Sequence, residues 1–273
     1  MAADAQRYRG RLTAVIFDWA GTTVDYGSRA PAGVFVEVFR RRDVPITVEQ
    51  ARGPMGLHKR DHLAALLAMP PVEALWRERH GAAPGEGDID ALYAELVVLQ
   101  TACLPDYADV IPGTLEAVAE CRRRGLKIGS TTGYNGEMLS VLSREAARHG
   151  YEPDCAISVD DVPAGRPHPY MCYLAAIRLQ AYPMESMVKV GDTVPDIQEG
   201  QNAGMWTVAV AKTGNEIGLS QAEVAALPPQ DLAERLERAR GRLAGAHYVI
   251  DGVGDLPPVL DAIEARLAQG ERP

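Results

Sequence analysis

The sequence predicts an α/β protein with a doubly wound parallel sheet that carries an inserted all-helical domain. Three observations lead to this prediction. Short apolar runs alternate with helical patterns after residue 105, as they do in βαβ units. A further apolar run stands alone near residue 12, and only helical spacing occurs between about 27 and 104. We therefore expect a core domain from residues 1–26 and 105–273, and a helical cap domain from residues 27–104.

The first strand is predicted by Leu12 to Asp18, a short run of β-branched and aromatic residues that ends at the turn Ala20 to Thr23. In the insert, Thr47 and Gln50 have the spacing of a capping box, and Gly53 to Gly56 interrupts the chain. Pro70 and Pro71 open a further segment that we leave unassigned. The helices predicted in the insert are Ala32–Arg42, His58–Met69 and Asp88–Cys103.

The core elements follow in alternation. Pro112–Arg124 has a proline at its start and Gly125 just past its end, which is typical of a helix. The further predicted strands are Leu126–Ser130, Cys155–Val159, Met187–Val190, Thr207–Val210 and Tyr248–Asp251. The further predicted helices are Gly136–His149, His168–Gln180, Asp196–Ala203 and Leu256–Ala268.

Composition excludes several classes of protein. The 273 residues include 37 acidic and 28 basic side chains, and the net charge of -9 argues against a sequence-independent nucleic-acid binder. No apolar run approaches the ~18 residues of a membrane-spanning helix, and residues 1–10 lack the apolar segment of a signal peptide. The four cysteines are scattered and form no C-x-x-C motif, which favours buried thiols in a reducing cytosol over disulfides or a zinc site. We expect a cytoplasmic protein with a small-molecule substrate and no nucleic-acid or membrane partner.

Acidic and hydroxyl side chains follow the predicted strands. Ligands of doubly wound folds bind at the carboxyl ends of the strands, so these residues are the first candidates for a site. Asp18 follows the first strand, Thr132 the second, Arg166 comes after the third, and Asp192 and Asp196 follow the fourth. Mg²⁺ prefers such carboxylates and bridges them to phosphate oxygens. Arginine binds phosphate oxygens in a fork, and a carboxylate can attack phosphorus.

Each of these residues also has a simpler interpretation. Asp196 suits the first turn of a helix as a capping residue, Thr132 can finish a turn, and Arg166 can be a solvated loop residue. A single such motif is weak evidence. The occurrence of four motifs in order after four strands favours phosphoryl chemistry with a metal.

The motifs resemble those of the haloacid dehalogenase superfamily of aspartate-nucleophile phosphotransferases. Ala14 to Thr22 resembles its first motif, a strand followed by D-x-D-G-T, and Gly191-Asp192 with Asp196 resembles its acidic fourth motif. A helical cap inserted soon after the first motif is a familiar arrangement there. The resemblance implies a Rossmann-like core, Mg²⁺ as cofactor and Asp18 as nucleophile.

One position departs from the superfamily pattern. Ala20 stands where most members have a second aspartate, which protonates the leaving group and then activates water. Alanine cannot transfer a proton, so we expect an ordinary phosphate-ester hydrolase to be impaired. A P–C bond has a carbanion as leaving group, which needs an electron sink instead. A lysine imine at a neighbouring aldehyde provides that sink, and the predicted cap contains one lysine, Lys59.

This combination resembles the phosphonoacetaldehyde hydrolase (phosphonatase) family over essentially residues 12–268. The motifs that carry the resemblance are Phe17–Gly27, Arg52–Lys59, Gly129–Tyr134, Ala164–Pro167 and Val190–Thr193. The resemblance implies hydrolysis of phosphonoacetaldehyde to acetaldehyde and phosphate, in the breakdown of 2-aminoethylphosphonate. It also implies a homodimer.

The resemblance assigns roles to residues at the matching positions. Asp18 attacks phosphorus and ligates Mg²⁺, together with the Ala20 carbonyl and Asp192, and Asp196 supports them. Lys59 forms the imine. The substrate-binding residues that it implies are Thr132, Gly133, Arg166, Met55, His62 and Tyr134. Two alternatives stay open: Thr131 in place of Thr132 as phosphonate ligand, and a purely structural His62.

Lysine is scarce in this chain, since only Lys59, Lys127, Lys189 and Lys212 accompany 24 arginines. The last three lie in or next to predicted strands, where a structural role suffices. Lys59 must be neutral to attack an aldehyde, and an unperturbed lysine has a pKa of about 10.4. We expect a helix amino terminus, burial and the neighbouring His58, Arg60 and His62 to lower the Lys59 pKa, and Asp61 to oppose them.

Three other functions are consistent with parts of the sequence. A capped phosphatase or phosphomutase of the same superfamily is disfavoured by Ala20. A haloacid dehalogenase needs no metal and leaves Asp192 and Asp196 unexplained. A catalytically silent module that binds phosphate has no need of Asp18, Arg166, Asp192 and Lys59 together.

Overall fold

A single parallel sheet organises the computed structural model, which describes residues 8–273. The strands are β1 (Ala14–Phe17), β2 (Lys127–Thr131), β3 (Cys155–Ile157), β4 (Met187–Gly191), β5 (Trp206–Val210) and β6 (Tyr248–Ile250). Their order is β3-β2-β1-β4-β5-β6, and every neighbouring pair is parallel. The predicted α/β class and all six predicted strands are confirmed. Residues 1–7 of the predicted core domain lie outside the described part.

Burial on both faces explains why β1 reads as an unbroken apolar run. Val15 and Phe17 pack into one hydrophobic cluster, and Ala14 and Ile16 pack into another on the opposite face. All four side chains are fully buried. Because helices cover both faces of a parallel sheet, neither set of alternate side chains meets water.

Between β1 and residue 103, the described chain contains five α-helices and no strand beyond isolated bridges at Ala20 and Val24. The helices are α1 (Arg29–Arg40), α2 (Val48–Arg52), α3 (Lys59–Leu67), α4 (Pro70–His80) and α5 (Glu86–Cys103). Phe35, Leu63, Leu92 and Leu96 are completely buried in the cluster that these helices share. The predicted capping box of Thr47 and Gln50 starts α2. The unassigned segment at Pro70 is the helix α4.

Seven further α-helices accompany the sheet in the described chain, along with four short 3-10 helices. The α-helices are α6 (Thr114–Arg123), α7 (Gly136–Arg148), α8 (Tyr170–Leu179), α9 (Val194–Asn202), α10 (Gln221–Ala226), α11 (Pro229–Arg242) and α12 (Leu256–Ala268). The helix predicted from Asp196 begins two residues earlier, because Thr193 is its cap and Asp196 completes the capping box. The sequence patterns did not predict α10 or α11.

The strand order reverses direction at β1, so the loops after β1 and its neighbours diverge there and leave a crevice. That crevice faces the helical segment of residues 29–103. Across residues 8–273, no helix has both the length and the hydropathy that crossing a bilayer requires.

Candidate active site

Three buried carboxylates converge at the carboxyl edge of the sheet. Asp18 follows β1 and Asp192 follows β4, and the register of these neighbouring strands pairs Phe17 with Val190, so the two aspartates emerge side by side. Asp196 lies in the first turn of α9. Each of the three aspartates offers one oxygen, and these oxygens lie within 4.8 Å of one another.

Asp192 is held by neutral donors. The Thr22 hydroxyl donates to its Oδ1 over 3.1 Å, and the Asn215 amide donates to its Oδ2 over 2.8 Å. Gly21 has a φ of 87°, and a side-chain carbon there would lie 2.3 Å from Asp192 Oδ2. The carboxylate therefore packs directly against the turn that contains Ala20.

The electrostatics of this edge suit a divalent cation. Burial, followed by the charges of Asp18 and Asp196, raises the pKa of Asp192 well above its ordinary value. Burial also raises the pKa of Asp18, although Arg166 opposes the shift. Among residues 8–273, no lysine or arginine nitrogen lies within 4 Å of the Asp192 carboxylate. A hard divalent cation would satisfy this buried carboxylate.

Arg166 forms ion pairs with two aspartates of this cluster and with a neighbouring glutamate. Its Nη2 donates to Asp18 Oδ1 over 2.6 Å, its Nη1 lies 3.0 Å from Asp196 Oδ1, and its Nε donates to Glu199 Oε2 over 3.0 Å. Although burial raises the pKa of Asp196, the cations Arg166 and Lys189 outweigh it and leave that pKa below its ordinary value. The arginine is 4% exposed, so it is a buried site residue and not a solvated loop residue.

The two neighbouring threonines have different surroundings. The Thr131 hydroxyl accepts from Lys189 Nζ over 2.7 Å and from Arg166 Nη2 over 3.0 Å, and donates to Glu199 Oε2 over 3.2 Å. Its hydrogen-bonding capacity is therefore filled. Within residues 8–273, the Thr132 hydroxyl accepts from the Tyr134 backbone amide over 3.1 Å and has no acceptor for its own proton, which can therefore be donated into the cavity that the residue lines.

A cavity separates this edge from the helical segment. Asp18, Ala20, Thr132, Gly133, Tyr134 and Arg166 line it from the sheet, and Met55 and Lys59 line it from the helical segment. Two glycines let the segment approach so closely. A side-chain carbon at Gly56 would lie 2.3 Å from Thr193 Oγ1, and one at Gly133 would lie 2.7 Å from the carbonyl oxygen of Leu57.

Lys59 is the first residue of α3, and its side chain is buried. Its Nζ lies 5.0 Å from the centre of the Tyr134 ring and 5.5 Å from that of Phe35. Burial lowers the pKa of Lys59 to about 8, which is the expected direction. The opposing charges are Asp18, Asp25 and Asp192, which lie outside α3, whereas the sequence had pointed to Asp61 within it.

His62 lies outside the cavity lining. Its Nε2 is 2.8 Å from the carbonyl oxygen of Ala51, and its ring stacks on Phe35 with the centres 3.7 Å apart. Burial, with the nearby Lys59 charge, lowers the His62 pKa well below its ordinary value, so the ring is neutral. These contacts favour the structural interpretation of His62 over a substrate contact.

Two buried charged residues of the site did not emerge from the sequence as candidates. Lys189 Nζ lies 3.0 Å from Glu199 Oε2 and 3.1 Å from Asp196 Oδ1. The sequence patterns indicate only a structural role for Lys189 and do not single out Glu199. A lysine between valines in a buried strand, and a glutamate three residues after Asp196 on the same helix face, were the available signals.

Comparisons with known proteins agree on one family. Residues 12–204 match the model of the haloacid dehalogenase-like hydrolases. A phosphonoacetaldehyde hydrolase of Nitratidesulfovibrio vulgaris is 51% identical over 97% of this chain and 96% of its own length. One of Bacillus cytotoxicus is 51% identical over 93% of this chain and 97% of its own. The crystal structure of a phosphonoacetaldehyde hydrolase-like protein from Oleispira antarctica, 38% identical, superimposes over the whole of both chains with a TM-score of 0.97.

Proposed function

Because this chain belongs to the phosphonoacetaldehyde hydrolase family of the haloacid dehalogenase-like hydrolases, we propose that it hydrolyses the P–C bond of phosphonoacetaldehyde to acetaldehyde and phosphate. One observation carries the proposal. Lys59 and Asp18 line the same cavity, and Ala20 stands beside them where a phosphatase needs an acid. The arrangement supplies a nucleophile for phosphorus and an amine for the aldehyde.

Lys59 acts first in the proposed reaction. Its neutral Nζ adds to the aldehyde carbon, water leaves, and a protonated imine forms. The buried setting that lowers its pKa to about 8 keeps a useful fraction neutral at physiological pH. The imine then accepts the electron pair of the P–C bond as an enamine. Protonation of the enamine at carbon, and hydrolysis of the imine that results, release acetaldehyde and free Lys59.

Asp18 attacks phosphorus as the P–C bond breaks, which gives an aspartyl-phosphate that water later hydrolyses to phosphate. Mg²⁺ would be held by Asp18, Asp192 and the Ala20 carbonyl, with Asp196 in support, and would neutralise charge on the phosphonate oxygens. Two observations support this assignment: the carboxylate oxygens are clustered, and no described lysine or arginine nitrogen lies within 4 Å of the Asp192 carboxylate. Arg166 Nη2, 2.6 Å from Asp18 Oδ1, is within reach of oxygens on the attacked phosphorus.

Thr132 and Gly133 would orient the phosphonate, and the free hydroxyl proton of Thr132 supports its choice over Thr131. Met55 and Tyr134 would enclose the aldehyde end. We assign residues 1–26 and 105–273 to a core domain and 27–104 to a cap domain that closes over the substrate. The homodimer, the cytoplasmic location and the place in 2-aminoethylphosphonate breakdown stay predictions.

A product assay tests the proposal. With Mg²⁺, the protein should release acetaldehyde and phosphate from phosphonoacetaldehyde in equal amounts, and chelation of the metal should abolish both. Asp18→Asn should be inactive, because the amide is a poor nucleophile. A panel of phosphate monoesters is the comparison. Faster turnover of any monoester would favour a phosphatase, and binding of phosphate without turnover of any substrate would favour a silent module.

A further inference from the structure

A buried ion pair lies behind the residues that touch the cavity. Lys189 of β4 is 1% exposed and Glu199 of α9 is fully buried, and their Nζ and Oε2 atoms are 3.0 Å apart. Neither side chain lines the cavity that Asp18 and Arg166 share. The pair therefore does not contact a substrate in that cavity directly. Glu199 does contact Arg166, which lines the cavity.

Glu199 fixes the orientation of Arg166. The three sides of the guanidinium meet three different carboxylates: Nη2 meets Asp18, Nη1 meets Asp196 and Nε meets Glu199. A planar fork held at all three sides keeps one orientation. Because Glu199 accepts from Nε while Asp18 and Asp196 contact the two Nη atoms, Glu199 completes the set of contacts that restricts reorientation of the guanidinium.

Lys189 completes the arrangement from the sheet. Its ammonium contacts Glu199, Asp196 Oδ1 at 3.1 Å and the Thr131 hydroxyl at 2.7 Å, so it ties together the same groups that hold Arg166. Gly200 in α9 makes room for it, because a side-chain carbon there would lie 2.7 Å from Lys189 Cβ. Glycine inside a helix is less stabilising than alanine. A buried ion pair often contributes no more stability than well-packed apolar side chains of similar volume. Stability alone therefore does not account for this pair.

We propose that Lys189 and Glu199 are positioning residues that hold Arg166 against Asp18 and so align the nucleophile with the phosphorus atom. The proposal rests on the proposed function and adds that different residues serve the phosphorus and the aldehyde ends of the substrate. The pair acts on the phosphorus side of the reaction and leaves the Lys59 side untouched. Its removal should therefore impair P–C cleavage and phosphate binding, but not imine formation.

Three variants separate this role from a structural one. Glu199→Gln keeps the shape but removes the charged acceptor of Arg166 Nε, and a misplacement of about 1 Å in a reacting group can lower a rate ~100-fold. We expect kcat to fall 10- to 100-fold, with a smaller change in KM. Lys189→Met should be worse, because the buried carboxylates of Asp196 and Glu199 would then have only Arg166 as a cationic partner among the described residues. The double variant restores the charge balance, so it should regain part of the loss of Lys189→Met.

Two readouts do not depend on turnover. Borohydride trapping of phosphonoacetaldehyde on Lys59 should be retained in all three variants. Affinity for inorganic phosphate in the presence of Mg²⁺, measured by calorimetry, should fall about tenfold or more in the single variants, as the loss of a charged hydrogen-bond network predicts. Lys127→Met, at an exposed residue of β2, is the matched control and should change neither value.

The outcomes distinguish this proposal from the proposed function. Wild-type phosphate affinity and kcat in Glu199→Gln would overturn it. Parallel losses of trapping, phosphate affinity and thermal stability, without any recovery in the double variant, would also overturn it and assign the pair to folding alone. A protein that cleaves no phosphonoacetaldehyde, but whose phosphate affinity depends on both residues, would contradict the proposed function and leave the positioning of Arg166 intact.

Discussion

The titration of Lys59 provides a direct test of the imine hypothesis. Only the neutral amine attacks an aldehyde, and burial lowers the Lys59 pKa to about 8. At pH 7 that pKa leaves roughly one lysine in eleven neutral, whereas an unperturbed pKa near 10.4 leaves roughly one in 2,500. The buried position therefore increases the reactive fraction by about 200-fold.

The sign of the pH dependence follows from this shift. As the pH falls below the pKa, the amine gains a proton and the rate of imine formation should drop tenfold per unit. Above a pH of about 8 the rate should level off, because the amine is already neutral. The charges that face Lys59 are Asp18, Asp25 and Asp192, which favour the ammonium, and Arg166, which disfavours it.

The assay is reductive trapping across a pH series. Phosphonoacetaldehyde and borohydride are added at each pH, the reduced adduct is located by mass spectrometry, and its rate of appearance is plotted. Lys59→Arg keeps the charge but cannot form the imine, so it should trap nothing. Lys127→Arg is the matched control and should trap as the wild type does.

Three results would refute the reasoning. A midpoint near 10 would mean that burial does not tune the amine. An adduct on Lys127, Lys189 or Lys212 would remove Lys59 from the mechanism. Full turnover in Lys59→Arg would show that P–C cleavage needs no imine at this position.

Two further predictions concern the cavity walls. Thr132→Val should weaken phosphate binding about tenfold in calorimetry, because it removes a hydroxyl donor to a charged ligand. Thr131→Val should instead lower the melting temperature, because it leaves the buried donors of Lys189 and Arg166 without this acceptor. The reverse pattern in the two measurements would make Thr131 the phosphonate ligand. Gly56→Ala should lower kcat/KM at least tenfold because its Cβ meets Thr193 at 2.3 Å. Gly81→Ala, also at positive φ but in open space, should only destabilise the fold by roughly 1 kcal/mol, and equal rates for both variants would contradict the argument.

Local patterns predicted the sheet well, because burial on both faces leaves an apolar run that sequence alone reveals. They failed where helices bury little. In α11, from Pro229 to Arg242, Leu236 and Ala239 are the buried residues, and charged side chains cover most of the rest. Charged side chains make this segment so polar overall that its narrow apolar stripe did not stand out in the sequence. The helix α4 buries only Val72 and Trp76 and was missed for the same reason.

The site residues also differ in whether local sequence patterns or long-range packing bring them together. Asp18, Asp192 and Asp196 follow strands, and parallel strands bring their ends together, so local patterns suffice to group them. The approach of Lys59 to this edge depends on packing between distant segments. Alanine at position 20 and the chemistry of P–C cleavage indicated a lysine in the cap, but no local pattern places that lysine against the sheet. The hydrogen-bond partners of a buried side chain are harder still to predict from sequence. The distinction between Thr131 and Thr132 depends on which hydroxyl Lys189 contacts.

Charge balance links the departure at Ala20 to the rest of the edge. Among the described residues, Asp18, Asp192, Asp196 and Glu199 are buried there against the cations Arg166 and Lys189. When all four carboxylates are ionised and Lys59 is neutral, the carboxylates exceed these two cations by two charges, an excess that a divalent cation would cancel. An aspartate at position 20 would add a further negative charge to the cavity that Lys59 lines and would raise the pKa of its amine. Under the proposed mechanism, alanine at this position removes an acid that a carbanion leaving group does not need, and it also favours the neutral lysine that imine formation requires.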